Sequence, residues 1–189
     1  MDPDLPLIEA LQAGEDLALN ELIQRHREPL FHFAFRYLRN EAAARDVVQE
    51  TFVRVYFKAG SFKPHSAVKT WLYTITANLC RDRLRRLAKH RQDISIDAPA
   101  AEHAAVTEQA DARPNPAEQS AQADQFKVLQ RAIDQLPHTL KLPLILSALE
   151  GKTHKETAEI LDTTPKTVEL RIYHAKAKLR ELLSGSARE

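Results

Sequence analysis

Apolar positions between Thr153 and Leu183 recur every three or four residues, with one break. This spacing places them on one face of a helix and predicts two helices joined by a short turn. Thr153 followed three residues later by Glu156 is the signature of a capping box at the start of the first helix. Thr164 before Pro165 indicates the start of the second helix, because an N-cap residue is often followed by proline at the first helical position.

The second helix of this pair has an apolar face and a basic face. The inward positions are Val168, Ile172, Ala175, Leu179 and Leu182. The other faces carry Lys166, Thr167, Arg171, His174, Lys176 and Lys178. A short turn before a basic second helix is typical of a helix-turn-helix that lays this helix in the major groove of DNA. An ordinary helical hairpin with a solvated charged face would give the same pattern.

Apolar periods predict four helices in residues 1–58. The first covers 5–13 and ends at Gly14, and Asp16 is expected to cap the second. Pro29 is expected to open the third, and Asn40 separates it from the fourth, 41–58. The inward positions of the fourth helix are Val48, Phe52 and Val55.

A polar face of the fourth helix groups Asp46, Gln49 and Glu50 at spacings of three and four. A solvated polar strip would explain it without any function. After it, the segment 59–67 carries Gly60 and is predicted to be a loop.

A helix with a basic end follows that loop. Its inward positions are Val68, Leu72, Ile75 and Leu79, and its end carries Arg81, Arg83, Arg85, Arg86, Lys89 and Arg91. Phosphates are the expected partner of such a cluster. Phe62, Trp71 and Tyr73 come just before it, so bases could stack where the backbone is held. The alternative is that Phe62 and Trp71 simply belong to the core.

Composition separates the chain into ordered and linking parts. Segment 92–124 is rich in Ala, Gln, Pro and acidic residues without an apolar period, and predicts a flexible acidic linker. Helical periods return from Phe126, with a stop at Pro137 and a further helix that Thr139 would cap and Gly151 would close. The expected fold is all-α, with two small helical domains at 1–91 and 125–184, the second a helix-turn-helix, and a tail at 185–189.

Charge and cysteine content narrow the class further. Residues 1–90 hold 14 basic and 11 acidic residues, 91–125 hold 2 and 7, and 126–189 hold 11 and 8. Two mildly basic ends around an acidic middle suit two modules that face nucleic acid, although such small differences are also common by chance. The single cysteine, Cys80, excludes an internal disulfide framework, and no run of residues is long and apolar enough for membrane insertion. We therefore expect a cytoplasmic protein.

Four stretches carry a family resemblance. They are DVVQETF at 46–52, SFKPHSAVKTWLYTITAN at 61–78, EGKTHKETAEIL at 150–161 and TVELRIYHAKAKLR at 167–180. In this order they resemble the extracytoplasmic function (ECF) group of bacterial RNA polymerase sigma factors, over nearly the whole chain apart from the linker. Several motifs in the right order are more specific than any one of them, and they favour the helix-turn-helix over the plain hairpin.

The resemblance implies a promoter-specificity subunit that binds core RNA polymerase, melts the start region and leaves after initiation. Asp46, Gln49 and Glu50 match the face that docks on the clamp helices of the polymerase. The positions implied for the minus-ten element, where a base is flipped into a pocket, are Phe62, Lys63, Trp71, Asn78, Arg81, Arg83, Arg85 and Arg86. The positions implied for the minus-thirty-five element are Lys166, Thr167, Arg171, His174 and Lys178.

The implied partners are core polymerase, promoter DNA as duplex and as melted strand, and an anti-sigma factor, with no cofactor. Three departures from the family pattern concern the helix-turn-helix. Glu169 and Leu170 stand where a basic residue and a serine are usual, so one DNA contact is expected to be missing, and Glu169 could accept from a cytosine amine instead. Asp162 stands where glycine is common. Thr157 replaces an apolar residue, which predicts a less stable hairpin.

Two other classes compete with this interpretation. A helix-turn-helix repressor or activator that acts without polymerase explains the hairpin, but not the 46–50 face or the aromatic residues beside the arginines. An enzyme is the weakest alternative, because the eight histidines lack metal-ligand spacing and there is no glycine-rich phosphate loop. Cys80 has no partner motif and is expected to be a buried helix residue.

Overall fold

The computed structural model describes residues 2–94 and 127–186, and within these two ranges every regular element is helical. The all-α fold expected from the sequence is confirmed. The N-terminal part contains α1 (Leu5–Gln12), α2 (Leu17–Leu38), α3 (Glu41–Lys58) and α4 (Val68–Ile94), with a short 3₁₀ turn at Ala59–Ser61. Helix α4 extends three residues past the expected domain limit at 91.

In the N-terminal part, helices α2, α3 and α4 pack against one another, and α1 packs against α2. The predicted stripes supply the core: Val48, Phe52 and Val55 from α3, and Val68, Leu72, Ile75 and Leu79 from α4, are all buried. Cys80 is also fully buried, as expected, and burial raises the pKa of its thiol. Helix α2, which packs against α1, α3 and α4, is therefore the central helix of this part.

Two expectations for α2 are corrected by the structure. Asp16 does occupy the position before the helix, but its side chain makes no capping hydrogen bond. Pro29 does not open a helix, since it lies inside the continuous α2. The loss of one backbone hydrogen bond at the proline is tolerated because the same helix buries Leu22, Leu30 and Phe33.

The C-terminal part contains α5 (127–134), α6 (His138–Leu144), α7 (His154–Ile160) and α8 (Pro165–Ser186). Helix α6 starts directly after Pro137, so Thr139 is not its cap, and it continues into a π-helical turn at Ile145–Leu149. Gly151, at φ +63°, closes this segment as predicted.

The two parts pack on each other. Leu142, Ile145, Leu146, Ile160 and Leu161 of the C-terminal part join the same buried cluster as the N-terminal core. Helix α7 lies against α4, and the π-helical turn lies against α2. We call this arrangement the closed packing.

Candidate DNA and polymerase interfaces

An aromatic pair lies at the start of α4. The ring centroids of Phe62 and Trp71 are 4.8 Å apart, with the ring planes inclined by 48°. Both rings are half-buried and rest on the core, so part of each ring stays exposed. The side-chain amide of Gln12 donates to the carbonyl oxygens of Ala59 at 2.9 Å and Phe62 at 3.2 Å, which fastens the loop. The exposed part of the pair offers a surface for base stacking.

Polar and basic residues continue from this pair along one side of α4. At about 100° per residue, Trp71, Asn78, Arg81 and Arg85 fall within a sector of about 80°. We call them the α4 stripe. The side-chain oxygen of Asn78 accepts from Arg81, and both Arg81 and Arg85 are exposed. Lys63 is exposed beside Phe62 in the loop before α4. The loop and the α4 stripe together present aromatic rings, an amide and cations.

Two of the arginines expected at the same site lie elsewhere. Arg83 turns towards α3, where its Nη2 lies 3.5 Å from a carboxylate oxygen of Asp46, and its buried Nε has no hydrogen-bond partner. Arg86 is exposed, but its position on the helix lies roughly 100° from the centre of the α4 stripe. The structure therefore brings Phe62, Trp71, Asn78, Arg81 and Arg85 together without Arg83 and Arg86.

The face predicted to bind polymerase is an exposed stripe along α3. Asp46, Gln49 and Glu50 all lie outward, and Arg54 Nε donates to Glu50 at 2.9 Å. Glu50 and Arg54 lie one helical turn apart, and their pairing leaves the carboxylates of Asp46 and Glu50 accessible to a partner.

Apolar residues extend this stripe, and the sequence interpretation missed them. Val53 and Phe57 follow Glu50 on the same side of α3, and Phe57 is 78% exposed. The signal was available: both residues are out of register with the buried series Val48, Phe52 and Val55. An exposed phenylalanine on the same side of a helix as polar and acidic residues is typical of a protein interface rather than of a solvated strip.

The helix-turn-helix has the local chemistry that the sequence predicts. The Thr153 backbone N–H and hydroxyl donate to Glu156 Oε2 at 2.8 and 2.7 Å, and Thr153 Oγ1 accepts from the Glu156 N–H at 3.2 Å. The two hydrogen bonds that Thr153 donates to the carboxylate lower the pKa of Glu156. The turn uses Asp162 at φ +49°, and Thr164 Oγ1 accepts from the Thr167 N–H at 3.2 Å to cap α8.

Thr157 is fully buried, and its hydroxyl has a hydrogen-bond partner. Its Oγ1 lies 3.1 Å from Ser147 Oγ of the π-helical turn. The expectation of a less stable hairpin is not tested by this contact, but the polar group that motivated it has a partner.

The predicted DNA-reading residues of α8 differ in exposure. Lys166, His174 and Lys178 are exposed, whereas Thr167 and Arg171 are half-buried at the flank of the helix. Lys178 Nζ donates to Glu181 at 3.0 Å. Leu170 and Tyr173 lie at the middle of the outward face of α8 and are exposed. The sequence interpretation did not include them among the site residues.

Charged residues also meet between the two parts of the chain. Glu150 is only 7% exposed at its side chain, where Arg36 pairs with it and the Tyr73 hydroxyl donates to it at 3.2 Å. Lys152 Nζ lies 4.2 Å from the Tyr73 ring centroid, and burial lowers the pKa of Lys152 to about 8. We call Arg36, Tyr73, Glu150 and Lys152 the interdomain network.

The described residues contain neither a metal-binding cluster nor a membrane-spanning helix. Residues 2–94 and 127–186 contain no group of three or more His, Cys, Asp or Glu side chains placed to hold a metal ion. Over the same residues, no helix combines the length and the apolar character that crossing a membrane requires.

Comparison with known proteins gives matches along most of the chain. The family model for Sigma-70 region 2 matches residues 22–90, and that for Sigma-70, region 4 matches residues 126–179. The ECF RNA polymerase sigma-E factor of Haemophilus influenzae is 32% identical over 174 residues, which are 92% of this chain and 91% of that protein. The protein of the same name from Escherichia coli strain K12 is 30% identical over 173 residues, 92% of this chain and 90% of its own.

Solved structures agree with the fold. CnrH, solved in complex with the cytosolic domain of CnrY, has a TM-score of 0.67 at 25% identity and covers 96% of this chain and 97% of its own. The sigma factor RpoE of Bartonella quintana, solved with the anti-sigma factor NepR, has a TM-score of 0.64 at 21% identity and covers 87% and 96%. The second likeness supports the fold alone.

Fold and surfaces together define a helical DNA-binding transcription factor with a helix-turn-helix in its C-terminal part. The matches make the class more specific. The chain belongs to the ECF sigma factors, which bind core RNA polymerase and promoter DNA to start transcription. A regulator acting without polymerase is not favoured.

Proposed function

We propose that this sigma factor divides promoter recognition between the α4 stripe and helix α8, while α3 holds the polymerase. The N-terminal part, 1–91, would act at the minus-ten element and the C-terminal part, 125–184, at the minus-thirty-five element. The observation that carries this proposal is the α4 stripe, because a repressor that binds only duplex DNA has no use for it.

The α4 stripe has the chemistry that base capture requires. Extruding a base from the duplex costs a few kcal/mol, which stacking and hydrogen bonds must offset. The Phe62–Trp71 pair offers the stacking surface, and Asn78 carries an amide that can both donate to and accept from a base edge. Arg81 and Arg85 lie further along the same side and suit the neighbouring phosphates.

Helix α8 suits duplex DNA. Lys166 and Lys178 are exposed and can neutralise phosphates, which fix the position of the helix without reading sequence. Arg171, at the flank, is the proposed reader of a guanine edge, because a bidentate contact with guanine discriminates between bases. Thr167 and His174 complete the predicted set.

The α3 stripe is the proposed docking face for core polymerase. Asp46, Gln49 and Glu50 supply the polar contacts, and Val53 and Phe57 supply apolar area next to them. An anti-sigma factor is a further proposed partner, as the structure of RpoE with NepR suggests for a similar fold. The protein would catalyse no reaction itself and would work in the cytoplasm, where its polymerase acts.

Transcription in vitro tests the proposal directly. Purified protein is added to core polymerase on fragments of its own genome, and the transcription starts are mapped. We expect discrete starts that depend on the protein, and loss of most of the signal with Trp71→Ala. Lys176→Ala, which changes an exposed residue outside both proposed sites, should leave the starts unchanged.

A different result would contradict the proposal. If no start depended on the protein, and the protein bound duplex DNA without associating with polymerase, a repressor or activator would explain the helix-turn-helix. If starts appeared but Trp71→Ala left them intact, sigma activity would stand and the role of the aromatic pair would be wrong.

A further inference from the structure

The outward face of helix α8 is apolar at its centre. Val168, Ile172 and Ala175 are buried against α6 and α7, which fixes the direction in which the helix faces outward. Opposite them lie Leu170 and Tyr173, which are 55% and 63% exposed. Both point into the space that a major groove would occupy under the proposed function.

Basic and polar side chains surround this apolar pair. Lys166 lies one turn before Leu170 on the same face, and the His174 ring contacts the Tyr173 ring at a centroid distance of 5.6 Å. Lys178 is exposed one turn after His174, while Glu169 is the acidic neighbour. A cationic border around an apolar centre complements a surface whose edges are anionic and whose floor carries apolar groups.

A DNA major groove is such a surface. Its edges are phosphates, and the only apolar group on its floor is the C5-methyl of thymine, or of methylated cytosine. A leucine side chain has no hydrogen-bonding group, so it cannot read a base edge in any other way. An acidic protein partner would match the cations, but it would not explain why the apolar pair sits at the centre of the second helix of a helix-turn-helix.

We propose that Leu170 and Tyr173 contact thymine methyl groups in the minus-thirty-five element and so specify thymine at one or two positions. This inference rests on the proposed function of α8. It assigns to Leu170 a reading role in place of the polar contact that the family resemblance implies is missing.

Replacing thymine by uracil tests the contact, since it removes the methyl group and leaves every hydrogen-bonding group in place. Promoter fragments recovered by mapping the starts are rebuilt with uracil at each thymine of the minus-thirty-five element in turn. Binding of the complete polymerase holoenzyme is then measured for each fragment. We expect a three- to fivefold loss at one or two positions, which is about the effect of one methyl group withdrawn from contact.

Variants of the two side chains locate the contact. Leu170→Ser should bind the thymine promoter more weakly and should no longer distinguish uracil from thymine at one position. Tyr173→Ala should do the same at a neighbouring position. Leu129→Ser, which changes an exposed leucine of α5, should keep the full uracil effect.

Three results would overturn the inference, and each differs from failure of the proposed function, in which no promoter would be found. The first is that replacing thymine by uracil, tested at each position in turn, changes holoenzyme binding less than twofold everywhere. Leu170→Ser could lose affinity while keeping the full uracil effect. Leu170→Ser could weaken binding to core polymerase alone, which would make the apolar pair a protein contact.

Discussion

Asp46 and Glu50 lie on the same side of α3, but each has a different neighbour. Asp46 faces Arg83 of α4, whereas Glu50 pairs with Arg54 within its own helix. Exposed pairs of this kind contribute little to stability, typically 0–1 kcal/mol. Their charges are therefore available for a partner at small cost to the fold.

The combined change of Asp46→Ala and Glu50→Ala should weaken binding to core polymerase by about 1–3 kcal/mol, since it removes two contacts from one interface. A titration of labelled core polymerase measures the affinity, and circular dichroism checks the fold. Glu21→Ala is the matched control, because Glu21 is similarly exposed and also pairs with an arginine four residues away. Unchanged affinity in the double variant would make this face a solvated strip.

Glu156 gives a prediction about pH. Its pKa is lowered in the folded state, chiefly by the hydrogen bond from the Thr153 N–H, so ionised Glu156 adds stability above the ordinary glutamate pKa of about 4.3. That contribution is lost as the pH falls through the lowered value. Glu156→Gln should therefore be less stable than the unchanged protein at pH 7, and the difference should shrink towards pH 3.

Urea unfolding followed by circular dichroism at a series of pH values measures this difference. Glu159→Gln is the control, because it changes an exposed glutamate on the same helix. A difference between Glu156→Gln and the unchanged protein that stayed constant from pH 7 to pH 3 would mean that the charge of Glu156 does not contribute through its lowered pKa.

At the level of elements, several helix ends with their own capping chemistry were predictable, although the same local rules gave caps at Asp16 and Thr139 that the structure does not have. Asn40 caps α3 by accepting from the Ala43 N–H at 2.8 Å, and Thr153 and Thr164 cap α7 and α8. Each signal involves residues three positions apart, so the sequence contains all of it. Gly151 ends its segment for a similarly local reason, because it adopts a positive φ.

Elements decided by distant packing were not predictable in the same way. Pro29 reads as a helix start by local rules, yet α2 runs through it because both halves bury residues in the same core. The π-helical turn at Ile145–Leu149 has no sequence signal of its own, and it lies where the C-terminal part meets α2. Tertiary contacts override local preference at both places.

Pro29→Ala should stabilise the protein by about 1–3 kcal/mol. Alanine restores the backbone donor within α2 and removes the clash of the proline ring with the preceding turn. The midpoint and slope of urea unfolding measure the change. A lower free energy of unfolding would show instead that packing of the proline ring outweighs the missing hydrogen bond.

For the whole molecule, the closed packing is the feature least visible in the sequence. Arg36 and Glu150 are 114 residues apart in the chain, and no periodic pattern links them. Hydrophobic positions predict that each part has a buried face, but not that the two faces share one cluster. The surfaces on α3, α4 and α8 were predictable as separate motifs, whereas the arrangement that relates them was not.

The closed packing conflicts with simultaneous binding at both promoter elements. The minus-ten and minus-thirty-five elements lie about 25 base pairs apart, which is roughly 85 Å along the duplex at about 3.4 Å per step. A compact chain of this length has a radius of gyration of only about 16 Å. The two described parts must therefore separate if one molecule is to bind both elements.

The interdomain network should therefore hold the free protein closed and release on promoter binding. Glu150→Gln removes the charge that Arg36 pairs with across the interface, and should shift the equilibrium towards the open form by about 1–3 kcal/mol. Energy transfer between dyes on cysteines introduced at positions 9 and 176 measures the separation. Cys80 is fully buried, so the dyes should not reach its thiol.

Arg25→Gln is the matched control for this change. Arg25 pairs with the buried carboxylate of Asp4 at 2.9 Å, and the two groups are as exposed as Arg36 and Glu150, but both lie in the N-terminal part. Glu150→Gln should lower energy transfer in the free protein, whereas Arg25→Gln should not, and core polymerase with promoter DNA should lower it in both. If Glu150→Gln left energy transfer unchanged, the shared apolar cluster alone would hold the two parts together, and release would depend on separating that cluster.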